Sequence, residues 1–306
     1  MKQKGGIDMT GLFPLIKRNT KLFFKDRGMF FSSLITPMIL LVLYVTFLAR
    51  IYRDSFASAL PAGLPIPENL IDATVGGQLV SSLLAVACVT VAFCSNLLMI
   101  NDKVSGAIRD LTVTPLKRST LALSYFLSSA LSTLIITFSA LAVCLLYLAI
   151  VGFYMSFVDV LLVALDVFLL TLFGTALSSC VNFALTTNGQ ASAVGTIVSA
   201  GYGFLCGAYM PISNFSNGLQ KFLSFLPGTY GTSLLRNHAL AGVYREMEGT
   251  FPPEVIEGIR DSIDCNIYFF GTKVSIGAMY AILALSVVLC VGIYVALNIL
   301  CKRKRK

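Results

Sequence analysis

The chain has 306 residues, 56% of them hydrophobic and 12% charged, with a mean hydropathy of +0.82. A soluble domain of this length interrupts its apolar runs with polar faces, so these proportions exclude one and describe a chain bathed mostly in lipid. The net charge of +8 is no nucleic-acid footprint, because 16 of the 23 Lys and Arg residues fall in just three segments, 1–28, 101–120 and 301–306.

Residues 1–28 come first. Leu12, Leu15, Ile16, Leu22 and Phe23 recur at helical spacing, with Lys17, Arg18, Lys21 and Lys25 opposite them. This pattern predicts a helix lying in the inner interface with its apolar face in the acyl boundary and Pro14 in its first turn. The plainer alternative is a charged flank that only orients the first span.

Residues 29–306 form one transmembrane domain. Six apolar stretches, at 29–49, 77–100, 121–151, 157–183, 191–210 and 273–300, lie near or above the ~20 residues an α-helix needs to cross ~30 Å of hydrocarbon. The first is too long for a signal-peptide core and ends at Arg50 without a small-residue cleavage pattern, so it is expected to remain in the protein. Pro37 within it predicts a kink. Basic residues accumulate on the cytoplasmic side of short loops, which puts both termini and loop 101–120 in the cytoplasm. The basic tail after Cys301 is expected against anionic lipid heads. The expectation is an all-α polytopic membrane protein, multi-pass in the cell (cytoplasmic) membrane, with six transmembrane helices.

Within loop 101–120, Ile108, Leu111 and Thr112 share a helical face beside Arg109, with Gly106 and Pro115 as punctuation. A short cytoplasmic helix here would project an apolar ridge with charged edges, a surface suited to a partner's groove. Read plainly, it is a positive-inside loop and nothing more.

Inside the spans, Asp166 stands out, since a carboxyl at mid-membrane costs about 2.5–3.5 kcal/mol on insertion scales and must face protein or water. Its readings are a cavity or interhelical contact, or a protonated acid bonded to a nearby Ser or Thr. Asn96, Asn182 and Asn298 are candidates for interhelical hydrogen bonds. Gly174 with Ser178, and Gly203 with Gly207, have the spacing that lets helices approach closely. Six of the eight cysteines lie in apolar spans, Cys265 is external and Cys301 internal, so no disulfide framework or metal spacing emerges. His238 is the single histidine and reads as structural.

Residues 211–272 make an external region. An amphipathic run from Phe215 to Leu226 stops at Pro227-Gly228, and a second runs from Tyr230 to Leu240. Each is too short to span and fits a re-entrant or interfacial helix. Residues 243–272 are polar enough to form a solvated cap, with a short helix near Pro253 to Ser262.

In the arrangement of these parts the chain resembles a family, the permease subunits of type-2 ABC exporters. The likeness rests on the order of parts and on two motif groups. One is Gly106 followed by Arg109-Asp110-Leu111 and Thr114-Pro115-Leu116-Lys117-Arg118. The other is Gly207-Ala208-Tyr209-Met210-Pro211-Ile212 followed by Leu226-Pro227, Tyr230, Leu235-Arg236 and Gly242. Where family members often carry an Arg-Glu cluster before the loop glycine, this chain has Val104-Ser105, leaving Asp102, Lys103 and Arg109 as substitutes.

The resemblance implies a division of labour. A separate ATPase, in two copies, closes on ATP, and loop 101–120 transmits the movement to the spans. Asp102, Lys103, Gly106, Ile108, Arg109, Asp110, Leu111, Pro115 and Arg118 would do the coupling, and Gly207, Met210, Pro211, Leu226, Pro227 and Tyr230 would shape the external re-entrant segment. The chain has no Gly-Lys pair and therefore no P-loop, so ATP and its Mg belong to the partner and this chain carries no catalytic residue, cofactor or metal. A second permease completes the assembly, a homodimer being the simplest case. The likeness implies outward transport, and span interiors rich in Phe, Leu, Met and small polar residues suggest an amphipathic or hydrophobic cargo. The rivals are an ion-coupled secondary transporter or channel, which would show several intramembrane ionisable residues or an inverted repeat, and a membrane enzyme, which would need His, Asp or Glu clusters at depth.

Overall fold

The computed structural model describes residues 9–50, 53, 67–114 and 116–300. The expectations for Pro115 and for the basic tail at 302–306 lie outside the described residues.

The first helix, α1 (Met9–Lys25), buries Leu12, Leu15, Asn19 and Phe23, spaced three and four apart on one stripe. That stripe packs on a later helix, α6 (Arg118–Val151), rather than into acyl chains as expected, and only Gly11 leaves room for the Leu116 side chain that precedes α6. Lys17, Lys21 and Lys25 stay exposed beside Phe13. Pro14 sits beyond the first turn. The Asp26 carboxylate then caps α2 (Arg27–Leu43) by accepting the Met29 amide at 3.1 Å, and the chain turns by 74°. Helix α2 runs through Pro37 and widens into a π-helical turn at Tyr44–Leu48.

The centre of the bundle is α3 (Glu68–Ser95), which continues past a break at Asn96 as α4 (Leu97–Val104). Helix α3 is buried on all sides by α2, α6, α7 (Phe157–Ala184), α8 (Asn188–Leu205) and α10 (Pro227–Ala239). It starts nine residues before the apolar run that announces it. Thr74 and Gln78 are buried there, and the bare Gly76 and Gly77 admit Leu148 and Leu240. Close approach holds α3 to α7 too, where a Cβ on Gly174 would come within 2.8 Å of the Cys88 carbonyl. The Gly174–Ser178 spacing therefore serves packing within the chain. Lipid is as apolar as leucine, so such close contacts and interhelical hydrogen bonds, rather than hydrophobic exclusion, drive this association.

After α8 the chain reverses at Gly207, where φ is +74° and a side chain would strike Ile212. The reversal ends the helix at Leu205, five residues short of the expected span. A 3₁₀ turn at Ile212–Asn214 and α9 (Asn217–Leu223) lead to Leu226, after which Pro227 opens α10 at its first position. Helix α10 has 13 residues and is inserted between α3, α7 and α13 (Ile276–Leu300). A small cap comes next, made of α11 (Ala241–Glu248), α12 (Pro253–Ser262) and a two-residue hairpin, β1 (Tyr268–Phe269) with β2 (Thr272–Lys273). Its apolar centre joins Val243, Tyr244, Met247 and Ile256 to Leu70 of α3.

Among the described residues, four helical segments are long and apolar enough to cross a membrane: Glu68–Val104, Arg118–Val151, Phe157–Ala184 and Ile276–Leu300. The bent α1–α2 pair adds a fifth if its two helices are counted as one span. Helix α8, at 18 residues, is interrupted by Gly189, Gln190, Gly195 and Gly201 and is the least apolar of the expected spans. The molecule is a multi-pass helical membrane protein.

Candidate functional site

Two polar sites stand at opposite ends of the bundle. The first surrounds the tip of α4. Asp102 is buried and takes both prongs of the Arg18 guanidinium, at 2.7 and 3.2 Å, together with the Tyr125 hydroxyl at 2.5 Å. One carboxylate thus joins α1, α4 and α6, and Arg18 is also held by Asn19 at 2.8 Å. The next residue, Lys103, donates to the carbonyls of Asn182, Phe183 and Leu185 at 3.1, 2.7 and 2.9 Å. A cation on the last carbonyls of α7 satisfies acceptors that a helix end otherwise leaves open, and it complements the helix dipole. Adjacent residues of one helix thereby grip three others.

Gly106 is next, with φ at +83° and nothing near the position a Cβ would take. Its requirement is conformational, since the turn into α5 (Ala107–Val113) needs the left-handed region. On α5, Ile108 and Leu111 turn inward onto the cluster around Leu15, Tyr125 and Tyr294. The apolar side of the expected ridge is therefore partly covered by protein, while Thr112 of the same face stays exposed. Arg109, Asp110, Thr112 and Val113 are exposed, Val113 most of all, and Arg118 is exposed at the start of α6. Asp102 and Lys103, expected to meet a partner, are instead engaged within the chain.

Farther along α3, Asn96 sits at the helix break and donates to Ser178 and Ser179 at 2.9 and 2.7 Å, as an interhelical contact should. Ser95 and Thr133 lie 2.7 Å apart beside it. Asn182 is buried, but its side-chain nitrogen has no hydrogen-bond partner among the described residues, and its backbone carbonyl carries the contact with Lys103. Asn298 donates to the Tyr294 carbonyl of its own helix.

The second site lies where α10 enters the bundle. Asp166 of α7 meets His238 Nδ1 at 2.6 Å and the Tyr280 hydroxyl at 2.5 Å. The partners are thus a histidine and a tyrosine, not the serine or threonine expected of the plainer reading. His238, which looks isolated in the sequence, closes a contact among α7, α10 and α13. Two residues earlier, Arg236 is almost wholly buried. It reaches the Ile263 carbonyl at 3.0 Å, Asp264 at 3.3 Å, Ser82 of α3 at 3.2 Å and the Gly207 carbonyl at 2.5 Å. Asp264, with φ at +56°, also accepts the Ile212 amide at 2.6 Å. The Gly207 reversal, the cap and α3 are therefore tied by one guanidinium, whose fork suits several acceptors at once. Tyr230 is buried and donates to the Ser224 carbonyl at 2.5 Å, whereas Met210, Pro211, Leu226 and Pro227 are half-buried around the reversal. Arg245 of α11 pairs with Asp159, which caps α7 together with Ser156.

A central buried helix, a partly exposed helical tip at one end and a short helix inserted from the other define a helical membrane-transport domain. A family model described as ABC-2 type transporter matches residues 10–239, from α1 through α10, and the chain belongs to this family. The family is the transmembrane component of ABC-type transporters and generally works with an ABC ATPase. No curated protein matched the chain.

Proposed function

We propose that this chain is the permease subunit of an exporter in the cytoplasmic membrane, driven by a separate ATPase present in two copies and completed by a second copy of the chain. On this reading it crosses the membrane six times, with α8 as the fifth span and both termini in the cytoplasm. The α5 tip is then cytoplasmic, and α10 enters from outside as a re-entrant helix. The observation that carries the proposal is the rod formed by α3 and α4. Its 37 residues, at ~1.5 Å each, extend about 55 Å, well beyond a ~30 Å hydrocarbon layer. A rod of that length delivers α5, with Arg109, Asp110 and Val113 exposed, into the water where an ATPase can grip it.

Helix α8 supports the pairing of two copies. Its exposed Ser192 and Thr196, with Gly195 between them, are a poor face for lipid and a good one for a water-lined path or a second protein. The cargo is an amphipathic or hydrophobic molecule.

The test is ATP turnover by the partner ATPase in vesicles. Turnover should rise when this chain is present, be blocked by vanadate, and fall with Arg109→Glu plus Val113→Asp. Unchanged turnover in that variant would count against the assignment of α5. The Asp166–His238–Tyr280 contact favours a second reading, ion-coupled transport. Substrate flux driven by an imposed pH gradient in the absence of any ATPase would replace the first reading with the second.

A further inference from the structure

Helices α2 and α6 both pack on α3 and barely meet each other, which leaves a slot between them. The slot has a volume of about 430 Å³, and α3 forms its floor through Leu83 and Ala87. Phe30, Leu34, Met38 and Leu41 make one wall, and Ala140, Val143 and Cys144 line the other. From Phe30 to Leu41 the wall runs for about 16 Å at ~1.5 Å per residue, so the space is long and narrow. Its lining is almost wholly apolar. The two hydroxyls nearest it, Thr137 and Ser139, already donate to carbonyls of their own helix, at Thr133 and Ile135. A hydrocarbon occupant therefore strands no polar group.

Phe24, at the elbow between α1 and α2, closes one end of the slot. That elbow also carries Lys21, Lys25 and Arg27, all exposed and in no ion pair among the described residues. A long apolar space beside an elbow that carries three cations, against the single carboxylate of Asp26 already capping α2, matches one class of molecule.

We propose that the slot holds one acyl chain of an anionic phospholipid whose headgroup is held by Lys21, Lys25 and Arg27. The leaflet, the cytoplasmic one, rests on the proposed orientation of the chain; occupancy of the slot does not. Each cation near an anionic headgroup adds about 1 kcal/mol, so removing all three should weaken the preference for an anionic over a zwitterionic lipid by about a hundredfold at most and tenfold in practice. The slot is thus a lipid-binding site between spans, separate from the α5 tip.

The chain contains no tryptophan, which makes a single reporter possible. The test places Phe30→Trp in the slot and Phe31→Trp on the exposed face of α2, in vesicles of phosphatidylcholine containing increasing phosphatidylglycerol with brominated chains. Slot binding predicts that Phe30→Trp is quenched at a mole fraction about tenfold lower than Phe31→Trp. It also predicts that Lys21→Gln, Lys25→Gln and Arg27→Gln together remove the difference, while brominated phosphatidylcholine shows none. Equal quenching of both reporters means ordinary surrounding lipid and overturns the proposal. Protection of Phe30→Trp from both lipids means that protein, such as a second copy, fills the slot, and overturns it too. Because bromine is supplied in both leaflets, the result is independent of how the chain is inserted, which labelling of Lys25→Cys from either side reads separately.

Discussion

Arg18 and Asp102, 84 positions apart in sequence, form a two-pronged ion pair that fastens α1 to the tip of α4. The two partners are unequally placed, since the Asp102 side chain is 8% exposed and that of Arg18 is 32% exposed.

That inequality predicts asymmetric mutants. Arg18→Met leaves a buried carboxylate with Tyr125 as its remaining partner and should cost about 2 kcal/mol, whereas Asp102→Asn leaves a cation that water can reach and should cost about 1 kcal/mol. A double-mutant cycle read by thermal unfolding in detergent should return about 1 kcal/mol of coupling. Strict additivity would show that the pair does not hold α1 in place.

The contact of Asp166 with His238 and Tyr280 is expected to fix the inserted helix. Removing one interhelical hydrogen bond in a membrane protein costs about 0.6 kcal/mol and up to about 1.7. Tyr280→Phe should fall in that range, and His238→Leu should exceed it by leaving the Asp166 carboxylate poorly served. Proteolytic sensitivity of the 224–240 segment should rise in parallel; unaltered resistance in His238→Leu would remove the anchoring role.

Two glycines should respond for different reasons. Gly106→Ala meets open space and pays only for a left-handed backbone, about 1 kcal/mol, and Gly106→Asn should restore much of it. Gly242→Ala drives a Cβ into the Tyr154 carbonyl of the backbone, so α11 must move and the cap must loosen. Its unfolding midpoint should drop further than that of Gly106→Ala, a ranking that a single thermal scan of both variants can reverse.

Cys265 lies in the cap, fully buried, with its sulfur 3.2 Å from the Tyr244 hydroxyl. Burial pushes its thiol up to about 11, so little thiolate exists near neutral pH. Maleimide should label it slowly in the folded protein and fast once Gly242→Ala or denaturant opens the cap. Rapid labelling of the native chain would contradict the packing of α11 and α12.

The long apolar runs were legible because hydropathy alone reports them, and α6 and α7 begin and end within a few residues of the expected limits. The start of α3 was hidden, since Asn69, Asp72 and Thr74 precede the apolar run and read as loop, and only the neighbouring helices that bury Thr74 show otherwise. The facing of α1 and α5 was hidden for another reason. An apolar stripe fits lipid or protein equally well, so periodicity located Leu15 and Ile108 on a face without saying what that face meets. Asp166 was visible by its cost, but His238 and Tyr280 are 72 and 114 positions away and no local spacing connects them. Arg236 appeared only as part of a motif, and its role as a knot became apparent from four contacts supplied by three separate segments.

The consecutive grips of Asp102 and Lys103 make the lower end of the central rod a yoke. Because one residue harnesses α1 and α6 and the next harnesses α7, a sideways push on α5 has no slack to take up near the point of contact. The load passes at once to three helices, and the first place where the rod can flex is its break at Asn96, deep between them.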